Sequence, residues 1–331
     1  MKCISKYLVS GLLFVSLLFS TTGCGKEAEP FSNPYPVYST SATDFSLQGE
    51  EKDALPEYFA SSLCVGGLTD VGLETTDAQV CEGAGLFNTA TNQILYAKNI
   101  YGKLYPASTT KILTCYIALQ YGNLDDIVTV SEKAADMASD SSVCGVKAGD
   151  KITLRDLLYG LMMESGNDAA IAIAEHISGD TDTFAGLMNN TAASLGATTS
   201  HFVNPNGLPD DNHYTSVYDL YLITNAAMQN QTFLDIINTN AYTANYTDAS
   251  GAPVSQEWTS TNKYIAGTET APDGITVIGG KTGTTGEAGY CLVLLSKNSS
   301  GQNLISIVLK ADCKSNLYLL MNEILQQYGN S

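Results

Sequence analysis

The stretch Tyr105-Pro106-Ala107-Ser108-Thr109-Thr110-Lys111-Ile112-Leu113-Thr114 joins a short turn to an apolar helix. Residues 109–121 are apolar almost all round, which is typical of a buried helix. Proline is favoured near a helix start, so Ser108 is expected in the first turn. Serine and lysine three residues apart share a helix face, which brings the Lys111 amine within reach of the Ser108 hydroxyl. The stretch therefore predicts a nucleophilic serine with a lysine base.

Lysine acts as a base only when it is neutral. Burial and a neighbouring cation both lower its pKa, and Lys281 is a candidate for that cation. A helix N-terminus also presents backbone N–H groups that suit a developing oxyanion. The structural alternative is a helix cap followed by a surface lysine. The same spacing recurs in Ser260-Thr261-Asn262-Lys263, although no long apolar helix follows it.

A second candidate segment, Ser165-Gly166-Asn167, falls between two helical patterns. Taken alone it is more typical of a turn, because Ser, Gly and Asn are ordinary turn residues. As part of an active site, the Ser165 hydroxyl would relay a proton to the leaving amine. Asn167 would hold a substrate amide and Lys111. The following Asp168 is predicted to be a helix cap rather than a catalyst.

The third segment is Lys281-Thr282-Gly283, followed by Thr284, in a glycine-rich stretch after the strand-like residues 275–278. Lys281 would supply positive charge, and the hydroxyls of Thr282 and Thr284 suit a substrate carboxylate. Glycine in a strand, here Gly283, often marks close approach of a ligand to the backbone. The alternative is a glycine-rich turn at a sheet edge. The spacing of a phosphate-binding Walker loop is absent.

The secondary-structure pattern predicts an α+β fold, an antiparallel sheet flanked by helices with an inserted helical lobe. Strand patterns occur only near the two ends of the domain, at residues 85–88, 93–97, 276–278, 290–296 and 304–310. Helical patterns lie between them and at the end, at residues 109–121, 154–163, 168–177, 183–195, 217–228 and 317–328. Distant segments would then meet at the junction between sheet and lobe.

The composition restricts the ligands that the protein can bind. The net charge of −18 argues against nucleic acid. Arg155 is the only arginine, so a bidentate arginine clamp is nearly excluded and lysines, hydroxyls and backbone N–H groups must hold an anionic substrate. With three scattered histidines and no CxxC or HExxH motif, neither a zinc site nor a cofactor is expected.

The N-terminal region predicts export and a lipid anchor. Residues 1–23 combine a positive start with a 13-residue apolar run, too short for a spanning helix and typical of a signal peptide. Cys24 follows a small residue, as at a bacterial lipoprotein cleavage site, although Thr21 replaces the usual leucine. An uncleaved N-terminal anchor is the alternative. Residues 24–60 are predicted to be a flexible tether and residues 61–331 the catalytic domain.

Six cysteines remain outside the signal peptide and the lipidation site, an even number in an exported protein. Cys64 and Cys81 bracket a short glycine-rich loop, and we expect them to form a disulfide. Cys115 falls within a helix and is expected to be a buried thiol. The connectivity of the others does not follow from the sequence.

From about residue 80 onward the chain resembles the penicillin-recognising serine enzymes, specifically the low-molecular-mass D-alanyl-D-alanine carboxypeptidases. The resemblance runs to the C-terminus and includes residues 105–114, 163–170 and 202–208. The last of these, Phe202-Val203-Asn204-Pro205-Asn206-Gly207-Leu208, has no obvious chemistry of its own. The resemblance implies a β-lactamase/transpeptidase-like fold.

The resemblance also implies an acyl-enzyme mechanism on the terminal D-Ala-D-Ala of peptidoglycan stem peptides. Ser108 would attack the penultimate carbonyl and Lys111 would accept its proton. Ser165 and Lys281 would assist departure of the last D-alanine. Backbone N–H groups of residues 108 and 284 would form the oxyanion hole, and Thr282 would bind the terminal carboxylate. β-Lactam antibiotics, which mimic the dipeptide, would acylate the same serine.

Two departures from the family stand out. Many relatives carry an arginine after the last strand for the substrate carboxylate, where this chain offers Lys314. Many also have a C-terminal β-domain and a membrane helix, so the N-terminal lipid is expected to be the anchor here.

Three other function classes compete with this interpretation. A serine β-lactamase of class A needs a Glu-x-x-Leu-Asn segment, which is absent. A non-catalytic penicillin-binding receptor would not need both Lys111 and Lys281. A Ser-His-Asp hydrolase would need a GxSxG elbow, which is also absent.

Overall fold

The computed structural model describes residues 60–330. Its main element is a five-stranded antiparallel sheet with the strand order β2-β1-β9-β8-β7, numbered in chain order. The strands are β1 Gly83–Asn88, β2 Gln93–Lys98, β7 Thr276–Thr285, β8 Gly289–Lys297 and β9 Asn303–Ala311. Strands from the two ends of the domain therefore pair directly, as the sequence predicts.

Both faces of this sheet are covered, so its central strands are apolar throughout. Successive residues of a strand point to opposite faces. On β8, Val293 and Leu295 pack toward the helical lobe, while Leu292 and Leu294 pack toward the C-terminal helix. That helix, α8, spans Lys314–Tyr328.

The helical lobe is inserted between β2 and β7. Its helices are α1 Lys111–Tyr121, α2 Glu132–Ala135, α3 Leu154–Met163, α4 Asn167–Ser178, α5 Thr181–Ser194, α6 Val217–Ala227 and α7 Gln231–Asn238. The helix α1 is buried along most of its length and packs against α3, α4, α5 and α6. A turn of 3₁₀ helix, Ala107–Thr110, precedes α1, so Ser108 lies just before the α-helix rather than within its first turn.

A second sheet of four strands was not predicted. It has the order β3-β4-β5-β6 and consists of β3 Ile127–Thr129, β4 Lys151–Thr153, β5 Ala241–Thr247 and β6 Pro253–Thr259. The expectation that no strand lies between residues 98 and 276 is therefore wrong. Two of these strands have only three residues, and β5 and β6 expose one polar face, so no apolar run marks them.

The expected disulfide between Cys64 and Cys81 is also wrong. Both are free thiols, as are the other four cysteines of the described region. The Cys64 thiol lies in the cluster shared with the helical lobe and donates to the Asn88 carbonyl oxygen at 3.4 Å. Cys81 lies in the cluster under α8. The sheet separates the two thiols, which closeness in sequence does not reveal.

The predicted signal peptide, Cys24 and nearly all of the predicted tether lie outside the described residues. Within residues 60–330, no helix has the length and apolar character needed to cross a membrane.

Candidate active site

Ser108 and Lys111 are in contact at the junction of sheet and lobe. The Lys111 Nζ lies 3.0 Å from Ser108 Oγ, 2.7 Å from Asn167 Oδ1 and 2.6 Å from the Asn206 carbonyl oxygen. The Lys111 side chain has no exposed surface. Its amine therefore contacts one hydroxyl and two fixed carbonyl oxygens, and water does not reach it.

Ser165 and Lys281 form a second serine–lysine pair. Lys281 Nζ donates to Ser165 Oγ at 3.0 Å and to the Thr282 carbonyl oxygen at 2.8 Å. Ser165 has a positive φ of 59°, a conformation that is uncommon for a residue with a side chain. It lies in the turn between α3 and α4 and points its hydroxyl across to β7. The site thus brings together Ser108 and Ser165, which are 57 positions apart along the chain, and Ser165 and Lys281, which are 116 positions apart.

Two glycines allow the backbones around Ser108 to approach closely. A Cβ atom on Gly283 would lie 2.9 Å from the Ser108 backbone nitrogen, and one on Gly207 would lie 1.9 Å from the Ala107 carbonyl oxygen. Gly283 belongs to β7, so the edge strand passes directly beside the nucleophile. The alternative of a glycine-rich turn is therefore excluded, since residues 281–284 continue the strand.

Burial lowers the pKa of both lysines. Desolvation holds the pKa of Lys111 well below its usual value, the nearby Lys281 lowers it further, and Asp168 acts in the opposite direction. Desolvation lowers the pKa of Lys281 to about 7. Each ammonium disfavours a second charge nearby, so the site favours one charged lysine over two.

A cavity of about 230 Å³ opens beside the two pairs. Its lining is rich in hydroxyl groups and includes Ser108, Ser142, Ser165, Thr261, Thr282, Gly283, Thr284 and Lys314. A larger cleft of about 960 Å³ lies at the opposite end of β7, between that strand and helices α6 and α7, and contains none of the candidate residues. We take the smaller cavity as the site because the serine–lysine pairs face it.

The structure thus brings all eight candidates within the described region to one place: Ser108, Lys111, Ser165, Asn167, Lys281, Thr282, Gly283 and Thr284. Residues 260–263, which repeat the serine–lysine spacing, form no serine–lysine pair. Thr261 Oγ1 nevertheless lies 2.9 Å from Thr282 Oγ1. Within residues 60–330, no group of His, Cys, Asp and Glu side chains could hold a metal ion.

Sequence reasoning missed several residues of the site. The segment 202–208 offered no chemistry as a sequence, yet the Asn206 carbonyl oxygen accepts from Lys111 and that of Pro205 accepts from Thr114 at 2.6 Å. These are backbone contacts, for which side-chain chemistry gives no signal. Ser142 also lines the cavity, on a loop that no motif marks, and so does Thr261, from the segment that repeats the serine–lysine spacing.

The fold and the two serine–lysine pairs define a class, the serine peptidases with a β-lactamase/transpeptidase-like fold. The crystal structure of the Streptomyces K15 DD-transpeptidase aligns with a TM-score of 0.68 at 33% identity, over 74% of this chain and 95% of that one. The family model described as D-alanyl-D-alanine carboxypeptidase, peptidase family S11, matches residues 74–313. The chain belongs to this family.

Two relatives illustrate the similarity. The D-alanyl-D-alanine carboxypeptidase of Streptomyces sp. strain K15 is 34% identical over 254 residues, which are 73% of this chain and 85% of that protein. The D-alanyl-D-alanine carboxypeptidase DacF of Bacillus subtilis strain 168 is also 34% identical, over 67% of this chain. The match spans only 56% of DacF.

Proposed function

We propose that the protein is a serine-type D-Ala-D-Ala carboxypeptidase that removes the terminal D-alanine from peptidoglycan stem peptides. The observation that carries this proposal is the 3.0 Å contact between the Ser108 hydroxyl and the buried Lys111 amine. A neutral amine has two N–H groups and one lone pair. The two N–H groups have acceptors in Asn167 Oδ1 and the Asn206 carbonyl oxygen. The lone pair is therefore left for the Ser108 O–H.

In the first step, Ser108 Oγ bonds to the carbonyl carbon of the penultimate D-alanine and its proton moves to Lys111 Nζ. The negative charge on the carbonyl oxygen is stabilised by the backbone N–H groups of Ser108 and Thr284. The Ser165 hydroxyl passes its proton to the leaving nitrogen and takes one from the Lys281 ammonium that it contacts, and the C–N bond breaks. Free D-alanine departs, and water then attacks the Ser108 ester. The water gives a proton to Lys281, Lys111 returns its proton to Ser108 Oγ, and the shortened peptide leaves as the acid.

Substrate binding is assigned to the residues that line the cavity around Ser108. Thr282 and Lys314 face the space for the terminal carboxylate of the peptide, and both line the cavity. The absence of a side chain at Gly283 lets β7 pass directly beside the Ser108 backbone, so that Thr282 and Thr284 flank the nucleophile in the cavity lining. Asn167 orients a substrate amide as well as Lys111.

β-Lactam antibiotics are proposed to acylate Ser108 by the same route and to leave slowly. A class A β-lactamase uses a glutamate to deacylate. The cavity in the described part of the chain is lined by hydroxyls, glycine, aromatic residues, cysteine, leucine and lysine, with no carboxylate. The β-lactamase alternative is disfavoured on this ground, and the paired lysines disfavour a non-catalytic penicillin receptor.

A mass spectrum of the purified protein after incubation with penicillin, with peptide mapping of the adduct, tests the proposal. We expect one adduct, on Ser108, together with release of D-alanine from an acyl-D-Ala-D-Ala peptide. An adduct on another residue would refute the assignment of the nucleophile. Rapid loss of the adduct without D-alanine release would instead support the β-lactamase, and a stable adduct without release would support the receptor.

We further propose that the enzyme works outside the cytoplasmic membrane and is tethered to it by lipid on Cys24, with residues 24–60 as the spacer. The signal-like residues 1–23 support this proposal. A Cys24→Ser protein should move from the membrane fraction to the soluble fraction. Unchanged membrane retention of that variant would favour an uncleaved anchor.

A further inference from the structure

The buried carboxylate of Asp168 binds the backbone of a loop, residues 141–146, that borders the active site. Its Oδ1 accepts the backbone N–H of Cys144 at 2.9 Å, and its Oδ2 accepts those of Gly145 and Val146 at 2.8 and 3.2 Å. Asp168 is the second residue of α4 and is only 1% exposed. The prediction that Asp168 caps a helix is wrong, because the N-cap of α4 is Gly166 and the Asp168 carboxylate accepts three N–H groups from a segment more than twenty residues away.

Strand β6 of the four-stranded sheet binds the same loop from its other side. The Cys144 carbonyl oxygen accepts from Gln256 Nε2 at 2.6 Å and from Trp258 Nε1 at 2.8 Å. Both donors belong to β6. The peptide groups on either side of Cys144 are thus fixed between α4 and β6. This gives the unpredicted second sheet a role in shaping the site.

The loop in turn sets the orientation of Asn167. Asn167 Nδ2 donates to Ser141 Oγ at 2.6 Å, and its backbone N–H donates to the Ser142 carbonyl oxygen at 2.8 Å. Since the NH₂ end of the amide is held by Ser141, its Oδ1 faces Lys111 at 2.7 Å. If this loop moved away from α4, the Asn167 amide would be free to rotate and Ser142 would no longer line the cavity.

We propose that Asp168 is a positioning residue for acylation, which fixes residues 141–146 so that Asn167 directs its oxygen at Lys111, and which places a carboxylate charge behind that amide. The inference rests on the proposed function, because it takes Lys111 as the base. Around Lys111 the charged and titratable groups are Lys281 from β7, Asp168 from α4 and His213 from the segment before α6. Asp168 acts in the opposite direction to Lys281 and raises the pKa of Lys111.

The test measures the rate of penicillin acylation against pH for Asp168→Asn. Asparagine has the same shape but one acceptor oxygen, so at least one of the loop bonds is lost. We expect the maximal rate to fall by about 10- to 100-fold through misplacement of Asn167. Removal of the negative charge lowers the Lys111 pKa, so the acidic limb of the profile should move to lower pH.

Two further variants separate charge from geometry. Gln256→Ala loosens the loop from β6 without changing charge, so the rate should fall while the acidic limb stays in place. Asp156→Asn is the matched control, because Asp156 is also a buried carboxylate in the first turn of a helix, α3, where it accepts hydrogen bonds from the Thr153 and Tyr242 hydroxyls. It should show neither effect once its folded fraction is accounted for.

An unchanged profile in Asp168→Asn, or an equal displacement in Asp156→Asn, would overturn the inference. If Asp168→Asn does not fold, Asp168→Glu keeps the charge and should retain the wild-type acidic limb at a reduced rate. A displaced limb in that variant would count against the proposal. Penicillin acylation is the readout because it distinguishes the two failures: a wild-type enzyme that is acylated but releases no D-alanine would refute the proposed function alone.

Discussion

A Cβ atom at Gly207 would lie 1.9 Å from the carbonyl oxygen of Ala107. Gly207 also has a φ of +86°, in the left-handed region that favours glycine. Ala107 precedes the nucleophile and itself has a positive φ of 49°. The segment that supplies the Asn206 carbonyl oxygen to Lys111 is therefore packed directly against the turn that carries Ser108.

From this contact we expect Gly207→Ala to disable the site. The substitution forces the two backbones apart and should destabilise the protein by about 3 kcal/mol or more, through overpacking and an unfavourable φ. Gly251→Ala is the matched control, with a φ of +88° but no atom within 4 Å, and should cost only about 1 kcal/mol. Urea unfolding and penicillin acylation rates measure the two effects. Equal losses of stability and of acylation rate in the two variants would show that the close approach of Gly207 to Ala107 is unimportant.

Ser108→Ala should abolish both D-alanine release and covalent labelling by penicillin. Loss of the nucleophile should lower turnover by roughly 10⁴-fold or more. Ser260→Ala is a useful control because residues 260–263 repeat the serine–lysine spacing without the paired geometry. It should label normally with a fluorescent penicillin. Labelling that survives in Ser108→Ala would place the nucleophile elsewhere.

Protein stability should depend on pH through Lys281. Its pKa falls to about 7 in the folded protein, against 10.5 for an ordinary lysine. Above pH 7 the unfolded chain keeps a proton that the folded protein releases, so the free energy of unfolding rises with pH. Relative to Lys281→Met, the wild type should therefore gain stability between pH 6 and about 8.5, with a slope of at most about 1.4 kcal/mol per pH unit.

Urea unfolding at a series of pH values measures this slope. The thiols and tyrosines contribute with the opposite sign, but they are present in both proteins and cancel in the comparison with Lys281→Met. Exposed Lys297 gives the control, since Lys297→Met should leave the pH dependence of the wild type unchanged. A parallel dependence in wild type and Lys281→Met would mean that Lys281 is charged in the folded protein across the whole range.

The sequence was sufficient for the parts of the site that depend on side-chain chemistry at short spacing. Ser108 and Lys111 lie three residues apart at the start of a helix, and the apolar character of that helix implied burial of the amine. The strands at the two ends of the domain were evident because both faces are covered, which leaves apolar runs such as residues 290–296. That these elements meet followed from the chain order of strands and helices.

The parts that were missed depend on backbone groups and on polar strands. The carbonyl oxygens of Pro205 and Asn206 act through position alone, so no residue type reports them. The strands β5 and β6 alternate weakly because one face is exposed, and Trp258 was the one strong sign of a buried side chain. The Cys64–Cys81 pairing failed because proximity in sequence does not reveal which side of a sheet a thiol occupies.

The last prediction concerns Lys314, the exposed lysine in the cavity lining. Among the described residues, none forms a hydrogen bond or ion pair with its amine, whereas Lys111 and Lys281 are buried and engaged. It is therefore the cation available to the terminal carboxylate of the substrate. Lys314→Met should lower kcat/KM for an acyl-D-Ala-D-Ala peptide by about tenfold, which corresponds to roughly 1.4 kcal/mol for one charge-assisted hydrogen bond.

A peptide whose terminal carboxylate is converted to an amide makes this prediction specific. The amide lacks the charge that Lys314 would bind, so the wild type should discriminate against it and Lys314→Met should discriminate less. Lys297→Met, which removes an exposed lysine at the far end of the sheet, should behave as wild type on both peptides. If Lys314→Met lowers kcat/KM by the same factor for the peptide acid and for the peptide amide, Lys314 supports the shape of the cavity. Thr282 must then bind the carboxylate without it.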